Sequence, residues 1–182
     1  RFDLIDVVNE PLDGVPEYFE GIDCGDGEWA WVFWSFRLAR EHFPKTKLLI
    51  NEYGILNSAE KTARYVDLIK QLKEEKLVDG IGLQAHGLEN TPSAVIRENL
   101  ETIKSLKLPV YISEWDISSS DDDTQLRIMQ EQFPIFWDDP MVKGITFWGH
   151  EVGRTWRPDA FLVYRDGKYR PAMQWMLEYM AK

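Results

Sequence analysis

The chain has 182 residues, 44 % of them hydrophobic and 29 % charged, with a formal net charge of −10. That composition fits a globular domain with a sizeable core, contains no apolar run of about 18 residues to span a membrane, and argues against nucleic acid and membrane partners. Cys24 is the only cysteine and His42, His86 and His150 lack ligand spacing, which excludes an intrachain disulfide and gives no sign of a metal site.

The chain opens on Arg1-Phe2-Asp3 in strand-like sequence with no initiator Met, which reads as a cut or processed end. Asp3–Asn9 (DLIDVVN) reads as a buried strand, followed by a Gly/Pro/Asp loop over Pro11–Gly27. Glu28–Phe43 reads as an amphipathic helix stopped by Pro44. Lys47–Asn51 (KLLIN) is a second strand. Asn57 or Ser58 can cap a helix running to about Glu75, with Tyr65, Leu68, Ile69 and Leu72 at helical spacing.

Asp79–Gln84 (DGIGLQ) is a third strand, and Thr91-Pro92 opens a helix with its apolar face at Val95, Ile96, Leu100, Ile103 and Leu106. Pro109–Ser113 (PVYIS) is a fourth strand. Asp121–Trp137 is a helix whose acidic start, Asp121 to Asp123, suits a helix N-terminus better than a metal site. Val142–Trp148 is a fifth strand, and Pro171–Met180 closes the chain as a helix after an irregular loop.

The order is βα repeated five times, with short, continuously apolar strands. Such strands are parallel and covered by helices. A dinucleotide-binding sheet would carry a glycine-rich turn after its first strand, where this chain has Asn9-Glu10-Pro11. Several strands end instead in polar or ionisable residues: Glu10, Asn51 with Glu52, Gln84 with His86, Glu114 with Asp116. That is the pattern of a (β/α)8 TIM barrel, whose active site collects side chains from many strand ends. A whole barrel needs about 250 residues, so this α/β chain reads as five βα units with about three missing.

Two glutamates, Glu10 and Glu114, end two apolar strands, the layout of a glycosidase acid/base and nucleophile. Aromatic residues make up 13 % of the chain. Enough of them are available for Trp115, Trp148 and Trp156, near strand ends, to serve function, while Trp29, Trp31, Trp34, Trp137 and Trp175 sit at helical positions suited to packing. Arg154 and Arg157 are expected in solvent or in ion pairs.

Asp6-Val-Val-Asn-Glu10, Leu49-Ile-Asn-Glu-Tyr53, Asp79-Gly-Ile-Gly-Leu-Gln-Ala-His86, Ile112-Ser-Glu-Trp-Asp116 and Phe147-Trp-Gly149 with Trp156 resemble, in order, the motifs of strands four to eight of glycoside hydrolase family 10, the endo-β-1,4-xylanases. The resemblance covers essentially the whole chain. Glu52 stands where the family usually has Asp, Ser113 where it has Thr, Trp115 where it has an aliphatic residue, and Val152 where it often has Asp.

The resemblance implies the C-terminal five βα units of the barrel, completed by a separate N-terminal piece, the second polypeptide or cleaved part of the same gene product. A carbohydrate-binding module inserted upstream would also explain the opening. It implies Glu10 as acid/base and Glu114 as nucleophile of a retaining enzyme, with His86 bridging Glu114 and Asp116. Asn9, Asn51, Tyr53, Gln84, Trp148 and Trp156 are the implied substrate-binding residues. The implied partner is xylan or xylo-oligosaccharides, with no cofactor and no metal, and the implied location is secreted, cell-surface or periplasmic. A cellulase or mannanase, or an incomplete half barrel that binds sugar without cleaving it, are the alternatives.

Overall fold

A computed structural model describes residues 2–182. Ten main elements alternate along the chain: β1 (Leu4–Asn9), α1 (Ala30–His42), β2 (Lys47–Glu52), α2 (Ala59–Glu74), β3 (Gly80–Leu83), α3 (Ser93–Lys104), β4 (Val110–Trp115), α4 (Asp122–Trp137), β5 (Val142–Phe147) and α5 (Pro171–Met180). The strands form one parallel sheet in the order β1-β2-β3-β4-β5. Spatial order equal to chain order, with no reversal, is barrel winding and not the doubly wound sheet.

Local chemistry sets the helix ends. Ser58 caps α2 by accepting the Lys61 N–H at 3.3 Å, and Tyr65, Leu68, Ile69 and Leu72 are fully buried on its inner stripe. Asp121 caps α4, accepting the Thr124 N–H at 2.8 Å, so the acidic triplet does serve a helix start. Asp122 also pairs with Arg170 at 2.6 Å, a side chain only 1 % exposed, and this ties the start of α4 to the start of α5. α1 begins at Ala30, two residues later than its apolar pattern suggests, with Trp29 at its N-cap position making no side-chain cap hydrogen bond. The long loop after β1 holds two single 3-10 turns, Pro11–Asp13 and Glu17–Phe19.

The main core lies between the sheet and the helices, where Leu48, Ile50, Ile81, Leu83, Val110 and Ile112 meet the apolar helix stripes. The opposite face, the barrel interior, is lined differently. A side-chain carbon on Gly80 would press on the Tyr111 ring at 3.3 Å, and one on Gly82 would overlap the Asn51 amide. Small residues in β3 therefore make room for large neighbours in β2 and β4.

Three irregularities interrupt the pairing: β5 carries an extra residue opposite Val110 and Tyr111, and two more lie in β1 and β4. β1 carries an extra residue against β2 between Asp6 and Val8, and β4 carries one against β5 between Ile112 and Trp115. The one in β4 has a direct consequence. Ile112 and Trp115, three apart, both face the helix layer, which frees Glu114 as well as Ser113 for the interior. Trp115 thus leaves the functional group expected for it. It is fully buried among Phe133, Phe136 and Phe147. Trp137, expected to pack, stacks on Phe133 yet stays 48 % exposed.

β1 and β5 each pair on one side only. Beside β1 an open groove of about 620 Å³ is lined by Ile5, Val7, Trp34, Leu38 and Phe43.

Candidate active site

A cavity of about 460 Å³ opens at the C-terminal ends of the strands, lined by Asn9, Glu10, Tyr53, Gln84, His86, Glu114, Trp148 and Trp156. All five strand ends contribute. Two non-glycine residues there take left-handed backbone conformations, Glu10 (φ 57°, ψ 48°) and Ala85 (φ 62°). Such geometry is disfavoured for residues with a side chain and persists where the surroundings enforce it. At Glu10 one enforcing contact is its N–H to the Asn51 carbonyl, at 2.9 Å.

A hydrogen-bonded chain of amides joins the two glutamates. Asn51 Nδ2 donates to Glu114 Oε1 at 2.7 Å and to Asn9 Oδ1 at 2.9 Å. Gln84 Nε2 donates to Asn9 Oδ1 at 3.1 Å and to Glu10 Oε1 at 2.9 Å. Ser113 Oγ donates to Asn51 Oδ1 at 2.6 Å and fixes which way that amide points. Glu10 keeps Oε2 without a hydrogen-bond partner among the described residues, and the Asn9 amide N–H groups are likewise unengaged.

Glu114 has nitrogen neighbours at both oxygens, since His86 Nε2 lies 3.3 Å from Oε2. His86 Nδ1 lies 3.3 Å from Asp116 Oδ2, off the direction of a hydrogen bond, so that contact is electrostatic. Burial pulls the His86 pKa down, but Asp116 and then Glu114 outweigh it, and the imidazole titrates above its ordinary value. Asp116 is buried and accepts from Trp156 Nε1 at 2.8 Å and Arg157 Nη1 at 3.1 Å. Arg157 also pairs with Glu89 at 2.7 Å, and Glu89 accepts the Ser118 N–H at 2.7 Å. The loop after β5 is thereby fastened over the end of β4.

The expected residues fall into two layers. Asn9, Glu10, Tyr53, Gln84, His86, Glu114, Trp148 and Trp156 line the cavity. Asn51, expected to touch substrate, is 3 % exposed and acts as a strut beneath the floor. Asp116 lies behind His86, in the place that the resemblance implied for it. Trp148 and Trp156 are 46 % and 62 % exposed and line the cavity, each packed at a steep interplanar angle (69° and 62°) against His86. Arg157 makes an ion pair, one of its two expected states, but as part of the site's support; Arg154 pairs with Glu151 at the rim. Glu89 carries no chain-local signal and becomes visible only through these contacts, and the role of Ser113, noted in the sequence only as a departure from the family motif, does so too.

Among the described residues no group of three or more His, Cys, Asp or Glu is arranged to hold a metal ion. Among the described residues no helix is long and apolar enough to cross a membrane.

The family model for glycosyl hydrolase family 10 matches residues 1–179. Endo-1,4-beta-xylanase B of Cellvibrio japonicus (strain Ueda107) is 36 % identical over 176 residues, covering 96 % of this chain and 28 % of its own length. Among solved structures, xylanase 10B from Thermotoga petrophila RKU-1 in complex with xylobiose superposes with a TM-score of 0.81 at 29 % identity, covering 99 % of this chain and 61 % of that one. An intracellular xylanase of Thermoanaerobacterium saccharolyticum, in complex with xylotetraose, gives 0.78 at 28 % identity, covering 93 % of this chain and 56 % of that one. The chain therefore spans less than two thirds of the length of the relatives it matches, and its five units correspond to the C-terminal units of their barrels.

Proposed function

The chain belongs to glycosyl hydrolase family 10, and on that premise we propose that it is the part of an endo-1,4-β-xylanase that bears both reacting carboxylates and cleaves internal β-1,4 bonds of xylan with retention. The observation that carries the reading is the unequal pairing of two glutamates in one cavity. Glu114 faces nitrogen neighbours at both oxygens, whereas Glu10 holds one oxygen free. The first arrangement suits a carboxylate nucleophile and the second a group that gives and takes a proton. The xylobiose and xylotetraose complexes of the structural relatives support the choice of sugar.

In the first step a Glu114 oxygen attacks the anomeric carbon. The bond from that carbon to the glycosidic oxygen breaks, its electron pair goes to that oxygen, and the oxygen takes the proton from Glu10. In the second step water attacks the same carbon, Glu10 takes the water's proton, and the bond to Glu114 breaks to restore its carboxylate. Two inversions give retention, which requires the carboxyl groups to sit about 5–5.5 Å apart.

The remaining residues act on orientation and charge. Asn9, its amide N–H groups unengaged, donates to the sugar 2-OH, a contact that strengthens as charge develops at the anomeric carbon. Gln84 holds Glu10 and Asn9 in register. His86, whose Nε2 lies 3.3 Å from Glu114 Oε2, orients that carboxylate in the resting state. Trp148 and Trp156 line the cavity with flat apolar rings on which sugars can stack, and Tyr53, whose ring carries Lys61 Nζ 3.7 Å from its centroid, lines it beside them. Three further βα units complete the barrel in this reading and supply the rest of the cleft.

The test is Glu114→Ala in the enzyme with its complete barrel. Xylan turnover is expected to fall at least about a thousandfold, and product anomers followed by proton NMR in the unaltered enzyme are expected to appear first as β. Near-normal turnover by the variant, or α products, overturns the assignment.

A further inference from the structure

Three consecutive residues at the end of β2 grip the segment that carries Glu10. The Asn51 carbonyl accepts the Glu10 N–H at 2.9 Å. Glu52 Oε2 accepts the Leu12 N–H at 2.8 Å while its Oε1 accepts the Tyr53 N–H at 2.9 Å. The Tyr53 hydroxyl donates to Asp13, at 2.9 Å to Oδ1. The gripped segment is the single 3-10 turn Pro11–Asp13, which begins directly after Glu10 and buries Pro11 and Leu12.

Glu52 is the unusual member of this grip. It is 0 % exposed, yet it does not line the cavity. Both its oxygens are spent on backbone N–H groups, so it neither binds sugar nor transfers a proton. Burial pushes its carboxyl up, while the Leu12 and Tyr53 N–H groups and Lys61 pull it back and Asp13 opposes them. A carboxylate taken out of water in this way is costly and needs such partners. What it secures is the turn that forces Glu10 into its left-handed backbone angle. The carboxyl reaches the Leu12 N–H at 2.8 Å, so a side chain shorter by one methylene would withdraw it from that contact.

We propose that Glu52 is a positioning residue for proton transfer, pinning the Pro11–Asp13 turn so that Glu10 presents its carboxyl to the leaving-group oxygen. The inference rests on Glu10 being the acid/base of the proposed reaction. It separates from general stability because only some substrates need that proton. A sugar alkoxide is a poor leaving group and departs as the glycosidic oxygen takes the Glu10 proton. A 2,4-dinitrophenolate departs as the anion and needs no proton.

The experiment compares Glu52→Gln and Glu52→Asp with the unaltered complete-barrel enzyme on xylohexaose and on 2,4-dinitrophenyl β-xylobioside. Gln keeps the length but sets an amide N–H against one of the two backbone N–H groups. Asp keeps the charge but withdraws it by one methylene. Misplacing an acid by about 1 Å costs up to about a hundredfold, so kcat/KM on xylohexaose is expected to fall about ten- to a hundredfold, and on the dinitrophenyl substrate by less than about threefold. The ratio of the two values is independent of the folded fraction, so partial unfolding of either variant leaves the result readable. Equal losses on both substrates, or no loss on either, overturn the proposal. An unaltered enzyme that cleaves neither substrate overturns instead the glycosidase reading beneath it.

Discussion

The side chain of Asn51 lies across Gly82 so closely that a Cβ on Gly82 would overlap Asn51 Oδ1 and stand 3.0 Å from its Cγ. The glycine is required by a neighbour on the next strand, since its own backbone is ordinary for a strand. Gly82→Ala is therefore expected to push the Asn51 amide off its contacts with Asn9, Glu114 and Ser113. Overpacking of this kind costs about 1–3 kcal/mol, and loss of a hydrogen bond to a charged group costs a further ~1.5–3 kcal/mol in whatever depends on it. Urea denaturation should show the first and kcat/KM on xylo-oligosaccharides should fall at least tenfold, by the second. The double variant Gly82→Ala with Asn51→Ala should regain stability without regaining activity. A single variant as active as the parent would mean the Asn51 strut has no part in catalysis.

How far such a site is legible in a sequence depends on whether its cause is local. Continuous apolar runs marked all five strands, and the pair Asn57 and Ser58 (of which Ser58 is the cap) and the acidic run from Asp121 marked two helix starts, because side-chain burial and capping are decided within a few residues. The polar strand ends pointed to the cavity for the same reason. The outward turn of Trp115, and the means by which Glu114 reaches the cavity where it was expected, were not legible. They follow from a bulge, which is a mismatch between β4 and β5 and exists in neither strand alone. The Glu89–Arg157 pair joins residues far apart in the chain, and the burial of Glu52 depends on the Leu12 N–H that faces it.

His86 gives a prediction in pH. Its carboxylate neighbours raise its pKa despite burial, so the folded state favours the imidazolium more than the unfolded chain does. The resulting stabilisation is complete below the unfolded value of about 6.5 and is lost as pH rises through the raised folded value. His86→Asn should therefore lower the melting temperature most near pH 5.5, and the gap from the parent should shrink towards pH 9. Thermal melts across that range would settle it. A gap that widens with pH would mean that His86 is neutral in the folded protein.

Arg157 gives a prediction in substrate affinity. It is the cation between Glu89 and Asp116, whose side chains are 12 % and 0 % exposed. Arg157→Met leaves two partly or wholly buried carboxylates without that partner, at a cost of about 1–3 kcal/mol. Asp116 also holds the indole of Trp156 at 2.8 Å, so the loop that carries this cavity-lining ring should loosen. The Michaelis constant for xylotetraose is expected to rise several-fold while kcat changes less, and Arg157→Lys should restore most of the loss because a single nitrogen makes both contacts. Steady-state kinetics on the two variants would test this, with a fall confined to kcat as the contrary result.

The sheet edges give a prediction about the 182-residue chain on its own. β1 and β5 each leave one row of backbone donors and acceptors unpaired, and parallel sheets rarely tolerate that in the open. Leu4 is 41 % exposed on β1, and the groove beside that strand is lined by Ile5, Val7, Trp34, Leu38 and Phe43. Both features ask for strands and helices on the β1 side, and closure of the barrel asks the same of β5. The isolated chain is expected to self-associate and to leave xylan intact, although both glutamates are present. A polypeptide supplying three upstream βα units is expected to convert it to a one-to-one complex that cleaves xylan. Light scattering after gel filtration, together with reducing-sugar release, would read both effects. A monomeric and fully active 182-residue chain would show that the open edges are tolerated and that five units suffice for the chemistry.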